Sequence, residues 1–162
     1  MGTWGTGPFG GDAAADLVVR LGALPENRRL FAVRTALADA VEERWYLDAP
    51  EGETAVAAAA LLAAARPGGA AGTEPGGAAG TEPGGAGAAG PAGCGGAAVS
   101  LPRCVIPQPP PELTGLAVRA LDRVLAPDSE LAELWDESDS GPQWRASVAG
   151  LRAALGPAAE RV

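Results

Sequence analysis

Histidine and lysine are absent: the 162 residues carry twelve basic side chains, and every one is arginine. Without imidazole there can be no Ser-His-Asp or Cys-His catalytic arrangement and no histidine metal ligand. Without lysine there is no Schiff base and no phosphate-gripping P-loop lysine. General acid/base work would fall to Asp, Glu, Cys94, Cys104 or Tyr46. Asparagine and isoleucine occur once each, as Asn27 and Ile106. Residues with AT-rich codons are thus scarce and Ala, Gly, Pro and Arg abundant, which points to a high-GC bacterial genome.

Long apolar runs are missing as well. The most apolar stretch, Val56 to Ala65, falls short of the ~20 residues a membrane span requires. No basic patch offsets the net charge of −8. Nucleic acid and anionic membranes are therefore not expected partners. The N-terminus lacks a positive region followed by a hydrophobic one, so a cytoplasmic location is expected. In that reducing setting Cys94 and Cys104 read as free thiols. Two thiols ten positions apart without histidine make a poor zinc site, and no motif asks for a cofactor.

What is present is helical periodicity around one low-complexity stretch. Residues 66–98 are almost wholly Gly, Ala, Pro, Thr and Glu, and GGAAGTEP from Gly68 to Pro75 repeats unchanged from Gly76 to Pro83. Such a segment cannot bury a core and is expected to be disordered. It divides one domain into an N-terminal helical half, 1–65, and a C-terminal half, 99–162. The fold class is all-α: an irregular bundle of five or six helices with a long disordered Gly/Ala/Pro insertion.

The expected helices have clear signals. Asp12 reads as an N-cap before an alanine run, with Ala14, Leu17, Val18 and Leu21 on one stripe and Gly22 and Pro25 at the end. A second helix is expected over 26–45, then a turn at Asp48, Pro50 and Gly52, then an alanine-rich helix over 53–65 with Thr54 as cap. Leu113, Leu116, Ala117, Ala120, Leu121, Val124 and Leu125 form an unbroken stripe over 111–126. Asp128 or Ser129 should cap a short fifth helix with Leu131, Leu134 and Trp135 on its apolar side. Ser140 and Gln143 have capping-box spacing ahead of a last helix carrying Trp144, Val148, Leu151 and Leu155. Trp4 and Phe9 are expected to pack onto the body, and Trp45, Trp135 and Trp144 to be core anchors.

The sharpest local feature is acidic. Asp128, Glu130, Glu133, Asp136, Glu137 and Asp139 fall within twelve residues without a base among them. Glu130, Glu133 and Glu137 share a helical face. Together with Trp135 and Asp136 they form the candidate surface for a basic protein partner; a plain solvated helix face is the simpler account. Carboxylates serving a metal-dependent enzyme are the alternative, although the EF-hand pattern is absent. A structural protein without a discrete site is a third reading. No catalytic, cofactor-binding or metal residue is assigned, and the protein is expected not to be an enzyme.

The opening MGTWGTGPFGGDAAADL resembles that of an uncharacterised bacterial family, domain of unknown function 4259. Members begin with a Gly-x-Trp-Gly-x-Gly-x-Phe run before an alanine-rich helix. The alanine-rich third helix and the LAELWDE segment, Leu131 to Glu137, are also similar. The resemblance implies no activity, and it marks the low-complexity stretch as a local insertion. Gly10 and Gly11 depart from the acidic or amide residues often found there in relatives. A non-enzymatic binding module fits these observations, and an immunity- or antitoxin-like role suits a small acidic chain.

Overall fold

The computed structural model describes residues 5–66 and 106–156. Among them are six helices and no strand: α1 (Asp12–Ala23), α2 (Glu26–Glu42), α3 (Ala49–Ala64), α4 (Pro111–Val124), α5 (Glu130–Asp136) and α6 (Gly141–Leu155). The expected all-α bundle is what forms. Apart from Arg66, the 66–98 insertion lies outside the described residues, as do Trp4, Cys94 and Cys104.

Helix α3 is the axis of the bundle and packs against each of the other five helices. Its composition explains the position. Ala55 to Leu62 are buried without interruption, so along this stretch the helix has no solvated face. A helix apolar all round belongs inside, and alanine brings neighbouring backbones close. Around it α1 contributes Ala14, Leu17, Val18 and Leu21, α2 contributes Val33, Leu37 and Ala40, and α4 contributes Leu113, Ala117, Val118, Ala120, Leu121 and Val124. Trp144, Val148 and Leu155 close the core from α6.

The chain ends of these helices fix their directions. Leu47 N–H donates to Asp128 O at 3.0 Å and Glu130 N–H to Leu47 O at 2.9 Å, an isolated parallel bridge between Leu47 and Ser129. The start of α3 therefore meets the end of α4, and the two helices run antiparallel. At the opposite end Arg66, just past α3, donates to the carbonyls of Ala154 and Leu155.

Several expectations are corrected. Asp12 is the first residue of α1, not its cap; Gly11 holds the cap position, and the acceptor comes from far off, Ala13 N–H donating to Glu53 Oε2 at 3.3 Å. Helix α2 stops at Glu42, short of Trp45, because the next residues leave to make the Leu47 bridge. Helix α3 begins at Ala49, where a turn was expected. Pro50 occupies its first turn, where a missing N–H costs nothing, and Gly52 is buried with Leu131 pressed on it. Thr54 does not cap α3; its hydroxyl donates to Pro50 O at 2.7 Å. Neither Ser129 nor Ser140 makes a side-chain capping bond, and the Ser140–Gln143 box does not form. Ser129 is fully buried, with its hydroxyl unpartnered among the described residues. Trp45 is no core anchor: it is 87% exposed.

Candidate functional site

The acidic helix α5 is tied into the fold by its own carboxylates. Glu130 Oε2 accepts from Ala49 N–H at 2.7 Å. It thereby supplies the negative cap that the positive end of α3 favours and that Asp48 does not provide. One turn on, Glu133 Oε2 accepts from the Tyr46 hydroxyl at 2.8 Å. Asp136 takes a two-pronged grip from Arg145, Nε at 2.7 Å and Nη2 at 2.5 Å. Arg145 holds the Asp136 carboxyl below its usual range, and Asp136 raises the guanidinium in turn. Trp135 is half-buried and stacked on the buried Trp144, ring centroids 5.7 Å apart and planes 8° from parallel.

Of the five residues expected at a partner surface, Glu130, Glu133 and Asp136 thus have partners within the chain, and Trp135 is engaged by Trp144. Glu137 stays exposed with no side-chain partner among the described residues. The sequence reading missed the residues beside them. Trp45 and Tyr46, 87% and 42% exposed, stand in the α2–α3 connection; the Tyr46–Glu133 bond brings Tyr46 alongside α5, and Trp45 N–H donates to Glu43 Oε1 at 3.2 Å. Their flanks, Glu42, Glu43 and the exposed Arg44 before and Asp48 after, were a readable signal: aromatic residues set among mostly acidic charges between two helices.

The electrostatics link these parts into one field. The Tyr46 phenol is pushed up to about 12, first by its bond to Glu133, then by desolvation and by the charges of Glu133, Glu130 and Asp48. Glu51 is raised by burial and by Asp48, Glu43 and Asp39. The carboxylates at the end of α2, the start of α3 and on α5 therefore act on one another. Besides the exposed Arg44, a half-buried base is built into this region, Arg123. Its Nε donates to Glu43 O at 3.0 Å, its Nη atoms donate to Asp128 O, and it pairs with Asp128 Oδ2 at 3.5 Å.

A second concavity lies under the glycine-rich arm. Gly5, Gly7, Pro8, Gly10 and Gly11 cross over Glu53, Val56, Leu131 and the two stacked tryptophans, leaving ≈ 20 Å³. That is room for about one water. Burial raises the Glu53 carboxyl, against the lowering effect of its bond from Ala13. The arm and Glu53 lock the start of α1 in place, and a carboxylate here is the wrong charge for a phosphate cradle. Among the described residues no three or more of Cys, Asp and Glu come together to hold a metal. No described helix is long and apolar enough to cross a membrane.

The family model described as "Domain of unknown function (DUF4259)" matches residues 2–147 of this chain. No curated protein and no solved structure matches it.

Proposed function

The chain belongs to the DUF4259 family, and from that premise we propose that it is a small, non-enzymatic binding module for a basic protein partner. The observation that carries this reading is Trp45, 87% exposed, its backbone N–H held by the Glu43 carboxylate and its chain neighbours Arg44 on one side and, past Tyr46 and Leu47, Asp48 on the other. A side chain that large is ordinarily buried; left in water it is the kind of anchor that dominates interfaces when a partner covers it. The acids around it would steer an arginine- or lysine-rich surface and fix its orientation. The α5 carboxylates take part from fixed positions: Glu133 is held by Tyr46 and Asp136 by Arg145, so little side-chain freedom remains to be lost on binding. Glu137 adds a charge without a side-chain partner among the described residues, and Leu134, 49% exposed, adds apolar area. A cytoplasmic location and an immunity- or antitoxin-like role belong to the same proposal.

The test is capture from a native-host lysate by the full chain, with Trp45→Ala and Glu137→Arg run beside the wild type. A near-stoichiometric basic protein, released by salt and lost with Trp45→Ala, supports the reading. Equal capture by wild type and Trp45→Ala, or no basic protein at all, sinks it. Glu130 is left intact because it caps α3.

A further inference from the structure

A different face of the molecule lies between α2 and α4. The two helices run parallel, since Arg123 near the end of α4 donates to Glu43 O at the end of α2. Beside them runs a groove of ≈ 1040 Å³, lined from Leu30 to Glu42 on α2 and from Pro110 to Arg119 at and along α4. Phe31 stands on its wall 66% exposed, and at Gly115 there is open space where a Cβ would be. Arg34 and Glu42 line the groove from α2, Glu112 and Arg119 from α4. None of these four makes a hydrogen bond or ion pair with a described residue, although oppositely charged groups occur on both sides.

The order of the charges suggests what covers this face. Reading from N- to C-terminus, α2 presents plus then minus, Arg34 then Glu42, while α4 presents minus then plus, Glu112 then Arg119. At a rise of about 1.5 Å per residue, Arg34 and Glu112 lie roughly 14 and 17 Å before the Arg123–Glu43 tie, so they stand at similar heights. Such a four-cornered pattern is complementary to itself about a two-fold axis lying in the face. With the axis along the helices, α2 of one copy opposes α4 of the other. The face also sums to zero charge on a chain of net −8, so two copies can meet here with less repulsion than a uniformly acidic surface would impose.

We infer that the α2–α4 groove is covered by a second copy of this chain, Arg34 meeting Glu112 of the second copy, Glu42 meeting its Arg119, and Phe31 entering its groove. The contact is isologous, so each pairing occurs twice. It is separate from the Trp45 face, and neither proposal depends on the other.

The experiment is sedimentation of the full chain, wild type beside Arg34→Glu, Glu112→Arg and the double reversal, with circular dichroism confirming that each folds. The wild type is expected to sediment as a dimer. Each single reversal breaks two symmetry-related pairs and should weaken dimerisation about tenfold or more; the double reversal should restore it. A wild-type mass of one chain up to millimolar concentration overturns the inference, as does a dimer indifferent to the single reversals. A photo-crosslinker at position 31, in a mixture of isotopically labelled and unlabelled chains, supplies a second readout. Adducts between chains onto α4 are expected. Adducts within one chain onto residues 67–105 would show that the protein covers its own groove, and would also overturn it.

Discussion

The Tyr46 hydroxyl donates to Glu133 Oε2 at 2.8 Å across 87 positions of sequence and fastens the α2–α3 connection to α5. The bond requires a protonated phenol, which is why the group is pushed from 10.0 up to about 12. In the unfolded chain the phenol ionises near 10. Stability from this contact is therefore fully present below pH 10 and is lost as pH rises from there through about 12. Tyr46 is the sole tyrosine, so a phenolate absorbance titration reads it alone. The expected midpoint lies near 12 in the wild type and moves back toward 10 in Glu133→Gln.

Gly11 has φ −98° and ψ 158°, an extended conformation open to any residue, so it is glycine for reasons of space. A Cβ there would press into the Glu53 carboxylate that accepts from Ala13 N–H. Gly11→Ala should push that carboxylate away and cost about 1 kcal/mol, the scale of a lost helix cap. In a Glu53→Ala background the same substitution should cost about 0.5–1 kcal/mol less, because the clash and the cap are already gone. Burial raises the Glu53 carboxyl above 4.5, so its ionised form opposes folding. Its contribution is fully present below pH 4.5 and falls as pH rises through the raised value. Denaturant melts of the four proteins across that range check both points.

The stripe on α4 was legible because each of its residues faces one surface, and local periodicity carries that information. The start of α3 was not. Asp48, Pro50 and Gly52 spell a turn locally, and only Glu130 on the Ala49 N–H and Leu131 against Gly52 make them the first turn of a helix. The acidic run on α5 was visible as charge, but its partners were not: Ala49 lies 81 positions from Glu130, and Tyr46 lies 87 from Glu133. Trp45 was misread for a related reason. Apolar size argues for burial, and only the early end of α2 turns this indole outward.

Two glycines of α6 should respond oppositely to alanine. A Cβ at Gly141 would collide with the backbone carbonyl of Trp135, which cannot step aside as a flexible side chain would. At Gly150 there is only open space. Gly150→Ala should stabilise by about 0.5–1 kcal/mol through helix propensity. Gly141→Ala should destabilise by about 1–3 kcal/mol, as overpacking does, and should disturb the stack of Trp135 on Trp144. Thermal melts with near-ultraviolet dichroism separate the two outcomes.

Arg66 closes the far end of the bundle by donating to the last carbonyls of α6. A cation at a helix C-terminus is favourable, and here it also joins α6 to α3. Arg66→Ala should cost about 1 kcal/mol and speed amide exchange in the last turn of α6 while leaving α1 unchanged. Equal exchange across α6 in variant and wild type would mean the contact holds nothing in place.

Trp45 separates binding from stability. Because it is 87% exposed and its side chain has no partner among the described residues, Trp45→Ala should leave the melting temperature within about a degree. Trp144, 3% exposed, should give the opposite result, since removing a buried tryptophan costs about 3–5 kcal/mol. The acidic surroundings of Trp45 make a finer forecast possible. For the part of the emission that Trp45→Ala removes, quenching relative to free tryptophan should be greater for caesium than for iodide in low salt, a difference that disappears when salt screens the carboxylates. On binding a basic partner the indole is buried, and both quenchers should lose access together. A buried anchor of this size is worth about 2 kcal/mol or more to an interface, so Trp45→Ala should weaken the complex some ~30-fold. Quenching by both ions that persists in the complex would show that the partner sits elsewhere.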